Sequence, residues 1–342
     1  MTVKLAIHSR PGSFSDRWIQ YCSEHGIDYR IVDCFDSDIL EQLKGVDGLL
    51  WHWFHSDPKA QLAARQIIVS AERSGVKVFP DIATCWHYDD KIGQKYLLES
   101  IEAPLVPTHV FFDEEEAMKW IDRAEFPKVF KLRCGASSEN VRLVRTKKEA
   151  EKLCKKAFDK GFPSVSGYFS DAVTKMRKTG SVGQLINKVI RMPKILYAAR
   201  RARNFIPAQR GYIYFQDFLP DNDFDTRITI IGNRAFGFTR NTRPNDFRAS
   251  GSGDLEYDLK RIDMRCIKIA FETAGKLKTQ SLAFDFIFDQ KNNPRIVEIS
   301  YCYQSKAVYN CSGFWDREMN WHVGHVWPED AILIDLLEAI TV

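Results

Sequence analysis

Two acidic side chains inside apolar segments constrain the fold of this chain more than any other feature. Asp285 interrupts the apolar run at residues 282–288, and Glu298 lies in the run at residues 295–299. The turn at residues 290–294 predicts that these runs are adjacent strands. Two carboxylates on adjacent buried strands cost free energy unless a cation compensates them. Mg2+ held by carboxylates and nucleotide phosphates is one such cation; pairing with an arginine is the alternative.

A lysine at the end of another apolar run adds a second signal. Lys131 follows Val129 and Phe130 and precedes a turn of small residues at 135–138. A lysine on a strand beside backbone N–H groups can hold nucleotide phosphates. The turn does not match a Walker loop, which requires GxxxxGK followed by Ser or Thr. The lysine and its turn therefore indicate phosphate binding without identifying the kind of site.

The first 89 residues have the pattern of a parallel α/β unit, because apolar strands alternate with helices. The predicted strands are 3–7, 29–32, 48–52 and 76–79, and the clearest helices are 16–24 and 59–73. The aromatic block at residues 51–55 follows the third strand. It forms either part of the core or a substrate contact at the carboxyl end of the sheet.

The remaining chain mixes helices and strands less regularly. Gly232 and Asn233 predict a hairpin between two of the strands. We predict helices at 90–100, 114–121, 147–158 and 255–277, an extended connection at 104–108, and strands at 128–132, 140–144, 211–215, 226–231, 235–239, 282–288 and 295–299.

Composition and cysteine spacing indicate a globular protein of the cytoplasm. The 342 residues suffice for two or three domains, and no apolar run approaches the ~18 residues of a membrane span. The N-terminus leads directly into a strand instead of a signal peptide. The eight cysteines form no CxxC pair, which is typical of reduced thiols.

Seven segments in a fixed order carry a family resemblance. They are Asp90-Lys91, Lys131 with its small-residue loop, YFQDFLP at 214–220, DTR at 225–227, FTRNTRPNDFR at 238–248, AFDF at 283–286 and VEIS at 297–300. Residues 86–303 thereby resemble an ATP-grasp enzyme, most similar to the carboxylate–amine ligase branch that includes the ribosomal-protein glutamate ligases. The resemblance implies an α+β ATP-grasp fold. Its parts would be an N-terminal α/β domain at 1–89, a linker helix and lid at 90–215, and a catalytic subdomain at 216–342.

The resemblance also implies roles for single residues. Two lysines, Lys91 and Lys131, would touch the ATP phosphates beneath a flexible loop that contains Ser137 and Ser138. The adenine would lie against Gln216, Asp217, Phe218 and Leu219. The ribose would meet Asp225, with Asp223 as the alternative. Arg240 and Arg248 would meet the transferred phosphate and the acyl phosphate, and planar guanidinium groups suit such oxyanions.

The implied metal is Mg2+, as two ions, with Mn2+ as an alternative. Its ligands would be Asp285, Glu298 and Ser300, which stands where the family commonly has Asn. The implied reaction joins a small-molecule carboxylate to an amine through an acyl phosphate and releases ADP and phosphate. Residues 298–304 and 311–316 further resemble ATP-grasp proteins of bacterial surface polysaccharide synthesis. The alternatives are an amino-acid or small-peptide ligase and a non-catalytic ATP-binding regulatory protein.

Basic residues concentrate in one segment, residues 160–210. It holds eleven Lys or Arg against the single Asp171, a local charge of +10 in a chain of net charge +4. It is either a solvated insertion on the lid or a docking surface for an anionic sugar, a lipid-linked glycan or the inner face of the membrane. Nucleic acid is not expected, because no aromatic platform accompanies the charge. A homodimer is compatible with the sequence.

Overall fold

Three sheets organise the chain, for which the computed structural model describes residues 3–135, 141–163, 208–243, 246–249 and 251–341. The strands are β1 Lys4–His8, β2 Asp28–Val32, β3 Gly48–Leu50, β4 Lys77–Phe79, β5 Thr108–Phe111, β6 Lys128–Lys131, β7 Val141–Val144, β8 Ile213–Asp217, β9 Phe224–Ile231, β10 Arg234–Asn241, β11 Leu255–Glu256, β12 Ser281–Phe288, β13 Pro294–Ser300, β14 Gly313–Trp315 and β15 Trp321–Val323. The helices are Phe14–His25, Ile39–Gln42, Pro58–Arg73, Ile82–Cys85, Lys91–Ser100, Glu114–Ile121, Lys147–Phe158, Met264–Leu277, Ser305–Tyr309 and Pro328–Thr341.

The N-terminal sheet is parallel, as predicted, with the strand order β2-β1-β3-β4. Successive residues of β1 pack into different cores, since side chains alternate across a strand. Ala6 joins the cluster that includes Ile68 of the helix Pro58–Arg73, and Leu5 joins the cluster that includes Trp18 of the helix Phe14–His25. Helices therefore cover both faces of this sheet, as expected for parallel strands.

The central sheet is antiparallel, with the order β13-β12-β9-β10-β14-β15 and with β11 paired to β10. One face packs on the helix Met264–Leu277, where Ile228 and Phe284 share a cluster with Ile267 and Ala270. Since side chains alternate along each strand, Arg227 and Asp285 belong to the opposite face.

The third sheet, here called the lid sheet, has the order β5-β8-β6-β7 and is also antiparallel. The helices Glu114–Ile121 and Lys147–Phe158 bury Ala117 and Cys154 in one cluster with Phe130 and Phe215 of the sheet. The predicted lid boundary at residue 215 falls inside β8, which leads directly into the connection to β9. The division at residues 89 and 215 remains a prediction.

One predicted helix is wrong over part of its length. Residues 255–277 were expected to be helical throughout, but the segment begins as strand β11 and a 3-10 turn at Leu259–Arg261. Asp263 then caps the helix that begins at Met264, accepting a hydrogen bond from the Arg265 N–H. An N-cap residue has non-helical backbone angles, so it separates the two parts.

Besides β11, two further short strand pairings were not predicted. Strand β5 pairs with β8, although its first residue, Thr108, ends the segment predicted only as an extended connection. The hairpin of β14 and β15 extends the central sheet through three residue pairs. Three or four residues carry too little alternation to mark a strand, so long-range pairing decided these elements.

The C-terminal helix Pro328–Thr341 packs against the helix Phe14–His25 near the N-terminus. Arg17 forms a bidentate pair with Asp330 at 2.8 and 2.7 Å, and the Trp18 indole N–H donates to the Glu329 carbonyl at 2.9 Å. None of the helices in the described ranges is both long and apolar enough to span a membrane.

Candidate active site

A cavity of about 340 Å3 lies between the lid sheet and the central sheet. The connection from β8 to β9 forms one wall, and charged side chains of the central sheet form part of the lining. The predicted site residues that line it are Lys131, Gln216, Asp217, Phe218, Leu219, Asp225, Arg248, Asp285 and Glu298. Predicted site residues that lie up to 167 positions apart in the sequence, Lys131 and Glu298, therefore line the same cavity.

Cross-strand pairing aligns the charges of the central sheet. Asp285 of β12 lies opposite Glu298 of β13 on one side and opposite Arg227 of β9 on the other. Arg240 of β10 lies opposite Asp225 of β9. Residues directly opposite each other in antiparallel strands share a face. The register therefore forms a charged row, defined as Glu298, Asp285, Arg227, Asp225 and Arg240.

Asp285 is the centre of the charged row and is 7% exposed. Its two carboxylate oxygens accept from Nε and Nη2 of Arg227 at 2.7 and 2.8 Å, and Nη2 of Arg240 lies 2.8 Å from Oδ2. Burial would raise the pKa of Asp285, but the two arginines hold it well below its usual range. Pairing with an arginine, which the sequence analysis gave as the alternative to a metal ion, is thus present at Asp285.

Arg240 is almost fully buried and bridges two carboxylates. Its Nε donates to Oδ1 of Asp225 at 2.7 Å, while Nη2 contacts both Asp225 and Asp285. Burial raises the pKa of Asp225, and the charge of Arg240 opposes that shift. Arg240, which was predicted to meet the transferred phosphate, does not line the cavity; it pairs with two carboxylates that do, Asp225 and Asp285.

Lys91 reaches the charged row from the start of the helix Lys91–Ser100. Gln94 fastens this helix to β13, because its side chain donates to the Ile299 carbonyl at 2.9 Å and accepts from the Ile299 N–H at 3.3 Å. Lys91 Nζ then lies 3.1 Å from Oε1 of Glu298 and donates to the Gly135 carbonyl at 2.9 Å. Burial would lower the pKa of Lys91, but the nearby carboxylates raise it overall.

Lys131 differs from Lys91 because its hydrogen-bond partner is neutral. Its ammonium donates to Oε1 of Gln216 at 2.6 Å, and the Gln216 amide donates in turn to Thr108 Oγ1 at 3.2 Å. Lys131 is 5% exposed, and burial lowers its pKa to about 8. The side chain is a buried cation at the wall of a cavity, with no acidic partner within hydrogen-bond distance among the described residues.

Ion pairs and hydrogen bonds of Asp217 and Asn222 fix the position of the connection after β8. Asp217 pairs with Lys128 at 2.7 Å and with His109 at 3.4 Å. Asn222 donates to three backbone carbonyls, including that of Phe288 at 3.0 Å, and accepts from the Phe288 N–H at 2.8 Å. Sequence reasoning missed Asn222. Asn222 follows Pro220 by two residues, and both residue types are common in turns, so the sequence did indicate a turn at this position.

Arg248 lies at the mouth of the cavity. It pairs with Asp246 at 2.6 Å, and its Nη1 donates to the Val141 carbonyl of the lid sheet at 3.4 Å. The two candidates for the ribose contact differ in surroundings. Asp225 is buried and bound by Arg240, whereas Asp223 is exposed and lines the cavity.

Three further predictions concern residues outside the described part of the chain or outside the cavity lining. Ser137, Ser138 and residues 164–207 of the basic segment lie outside the described residues. Ser300 is described, and its hydroxyl donates to the Cys302 carbonyl at 2.9 Å and accepts from the Cys302 N–H at 3.2 Å. Asp89, which the sequence reasoning did not name, holds the start of the loop that leads to Ser137, because its Oδ1 accepts from the Gly135 N–H at 2.7 Å.

Two carboxylates of the charged row have the chemistry to hold Mg2+. Glu298 uses only Oε1 in its pair with Lys91. Asp285 has three arginine contacts, and a carboxylate has about four lone-pair positions. No group of three or more His, Cys, Asp or Glu in the described ranges is arranged to bind a metal ion. The remaining ligands would therefore be phosphate oxygens and water, which is usual for Mg2+.

Comparison with known proteins identifies the architecture. The sequence matches no protein-family model and no curated protein. A crystal structure of D-alanine–D-alanine ligase from Bacillus anthracis complexed with ATP superposes with a TM-score of 0.59 at 10% identity, covering 100% of this chain and 99% of that chain. A RimK domain ATP-grasp protein from Sphaerobacter thermophilus has a TM-score of 0.57 at 14% identity, covering 98% and 100%. The D-cycloserine synthetase DcsG has a TM-score of 0.56 at 12% identity, covering 97% and 99%.

Proposed function

The chain has the ATP-grasp fold, and we propose that it is an ATP-dependent ligase that joins a carboxylate to an amine and releases ADP and phosphate. The observation that carries the proposal is the buried ammonium of Lys131, which lines the cavity between the two antiparallel sheets and contacts no acidic side chain in the described part of the chain. A buried cation is costly unless an anion compensates it. Nucleotide phosphates in this cavity would supply that anion.

Different residues around the cavity would bind the adenine, the ribose and the phosphates of ATP. The segment from Gln216 to Leu219 would hold the adenine, and we assign the ribose contact to Asp223 because Arg240 occupies the carboxylate of Asp225. Lys131 would hold the phosphates from the lid sheet, and Lys91 would hold them from the start of the helix Lys91–Ser100, beside Glu298. Mg2+, bound by Glu298, Asp285 and phosphate oxygens, would supply positive charge at the phosphates.

The proposed reaction has two steps. A carboxylate oxygen of one substrate attacks the γ-phosphorus, an acyl phosphate forms and ADP leaves. The nitrogen of the amine substrate then attacks the acyl carbon, phosphate leaves, and the nitrogen loses a proton as the amide forms. Arg248 would stabilise the oxyanions of both steps at the cavity mouth, since charge develops there in the transition state. The arrangement therefore works mainly by positioning and electrostatic stabilisation.

The substrates are proposed only as classes. Amino acids and short peptides are one class, and the comparison set includes an ATP-grasp ligase, PsnB, complexed with a precursor peptide. Uronic acids and amino-sugars are the other class, on the resemblance of residues 298–304 and 311–316 to proteins of surface polysaccharide synthesis. Both classes supply a carboxylate and an amine.

The test is ADP formation by the purified protein with Mg-ATP in pairwise combinations of these acids and amines. Lys131→Met should weaken ATP binding by about 10- to 100-fold, because a charge-assisted contact to phosphate is lost. The protein should still fold, because Met removes a buried charge whose hydrogen-bond partner is the neutral Gln216. Lys147→Met is the matched control, because Lys147 is exposed and pairs with Asp122. ATP binding by Lys131→Met equal to that of the control would contradict the proposal.

A further inference from the structure

Three buried side-chain nitrogens at the carboxyl end of the N-terminal sheet have no partner among the described residues: Nη1 of Arg10, Nε2 of His52 and Nε1 of Trp53. Arg10 and His52 form a pair, because both contact the ring of Phe54. Arg10 follows β1 and His52 follows β3, and these strands are neighbours in the parallel sheet. Open parallel sheets bind ligands beyond the carboxyl ends of their strands. The two donors therefore lie at an edge where a ligand is expected.

Both groups act as donors in the folded protein. The Phe14 N–H donates to Nδ1 of His52 at 3.2 Å, so the proton of the neutral imidazole is on Nε2. The ring is neutral because burial lowers the pKa of His52 to about 3. Arg10 is a guanidinium that stays charged in proteins. A buried donor without an acceptor is destabilising, and the cost is larger for a charged group.

The surrounding structure holds both side chains in place. Ser15 Oγ accepts from the Arg10 N–H at 3.0 Å and donates to the Arg10 carbonyl at 3.1 Å. The His52 ring stacks on Phe14 with centroids 3.7 Å apart. The Arg10 guanidinium lies 4.1 Å from the centroid of the Phe54 ring, which is 4.5 Å from that of His52. Phe54 therefore contacts both donor residues.

The nearby carboxylates are already engaged. Asp16 accepts from the Gly12 N–H at 2.7 Å. Asp57 caps the helix Pro58–Arg73 and accepts from the Lys59 N–H at 3.0 Å. Neither loop that carries the donors supplies an acid to pair with Arg10. Solvent reaches part of the half-buried Arg10 side chain, so a ligand anion would partner its buried Nη1.

The donor pair lies beside the end of β13, the strand that carries Glu298. The ring centroid of His52 is 6.0 Å from that of Tyr301, and the ring centroid of Phe14, on which His52 stacks, is 5.6 Å from that of Tyr303. Both tyrosines follow Ser300, the last residue of β13. A ligand held by Arg10 could thus extend from the edge of the N-terminal sheet toward the proposed site of phosphoryl transfer.

We propose that Arg10 and His52 bind a carboxylate that is not consumed in the reaction, so that one substrate keeps a free carboxylate in the product, as an amino acid does. The inference rests on the proposed ligase function and names the substrate class for that site. A carboxylate of charge −1 matches one guanidinium charge and two donors. A phosphate dianion with three oxygens would remain partly unmatched. The Phe54 ring forms a wall beside the bound group.

The experiment compares free acids with their carboxamides. The full chain is assayed for ADP formation with Mg-ATP and a fixed, saturating concentration of D-glucuronate or N-acetylglycine as the carboxylate that reacts. Glycine, D-alanine, L-alanine and L-glutamate are varied as the amine, each as the acid and as the amide of its α-carboxyl group. We expect KM to be about 10- to 100-fold lower for the acid, because a charge-assisted contact is lost in the amide. Arg10→Gln should raise KM for the acid by a similar factor and leave KM for ATP within about twofold.

Matched controls separate recognition from folding. Arg30→Gln removes an exposed arginine of β2 that donates to the Lys44 carbonyl, and His25→Gln removes an exposed histidine. Both should leave KM for the acid unchanged. His52→Gln should raise it by about tenfold, since glutamine can still accept from the Phe14 N–H while losing the geometry of Nε2. Equal KM values for acid and amide, or for Arg10→Gln and Arg30→Gln, would overturn the proposal.

A binding measurement keeps the inference separate from the proposed function. Equilibrium dialysis of the radiolabelled acids against protein saturated with a non-hydrolysable ATP analogue needs no turnover. Binding that is lost in Arg10→Gln supports the anion site even if the wild type forms no ADP, in which case only the ligase function fails. No binding of any acid to the wild type, or stronger competition by inorganic phosphate than by the acids, overturns the carboxylate assignment.

Discussion

Replacing Asp285 by Asn should destabilise the protein strongly, because the carboxylate anchors two buried arginines. The variant loses a bidentate pair with Arg227 at 2.7 and 2.8 Å and a contact with Arg240 at 2.8 Å. Arg240 keeps Asp225, but Arg227, whose side chain is 18% exposed, loses its acidic partner. Removing one partner of a buried ion pair costs about 3–5 kcal/mol. Since one arginine stays paired, we expect about 3 kcal/mol.

The assay is urea unfolding without nucleotide at pH 7, followed by tryptophan fluorescence and far-UV circular dichroism. Asp254→Asn is the control, because Asp254 is exposed and accepts from the Asn241 side chain, and its effect should stay below about 0.5 kcal/mol. Adding Arg227→Gln to Asp285→Asn should recover part of the loss, since the unpaired charge is then gone. A loss below about 1 kcal/mol for Asp285→Asn would refute the anchoring role.

Three further changes test the site and the fold. Glu298→Gln should abolish ADP formation while the fold survives, because the carboxylate is half-buried and proposed to bind the metal; Glu272→Gln on the helix Met264–Leu277 is the control. Arg248→Lys should lower kcat and kcat/KM together in steady-state assays, since lysine keeps the charge but loses the planar fork. Burial lowers the pKa of His87 to about 4, below its unfolded value of 6.5, so the unfolded state binds more protons. The stability contributed by the neutral ring is complete above pH 6.5 and falls as the pH drops toward 4. In pH-dependent urea unfolding, His87→Gln should therefore remove about 2 kcal/mol of the loss between pH 7 and pH 5.

One measured result would contradict each of these three predictions. Normal ADP formation by Glu298→Gln would remove this carboxylate from the metal site. A rise only in KM for ATP would give Arg248 a simple binding role. An unchanged pH profile of stability in His87→Gln would mean that folding does not lower the pKa of this ring.

Local sequence patterns determined the parts of this fold that depend on neighbours in the chain. Alternation and turn residues predicted the four parallel strands of the N-terminal sheet, the hairpin at Gly232 and Asn233 and the pair of strands with Asp285 and Glu298. These elements are specified by side-chain periodicity and by a few special backbone angles, such as the positive φ of Gly232. The order of short motifs pointed to the ATP-grasp fold for the same reason, since each motif is local.

Only the tertiary structure decided which charges meet. Arg227 could be placed in a strand from the sequence, but its pairing with Asp285 depends on the register of β9 against β12, strands 58 residues apart. A one-residue shift would move the whole set to the other face. The unpartnered donors of Arg10 and His52 are likewise visible only after folding, because burial and the absence of a partner are properties of the packed structure. Strand β5 also depends on the tertiary structure, because its four residues form a strand through their pairing with β8.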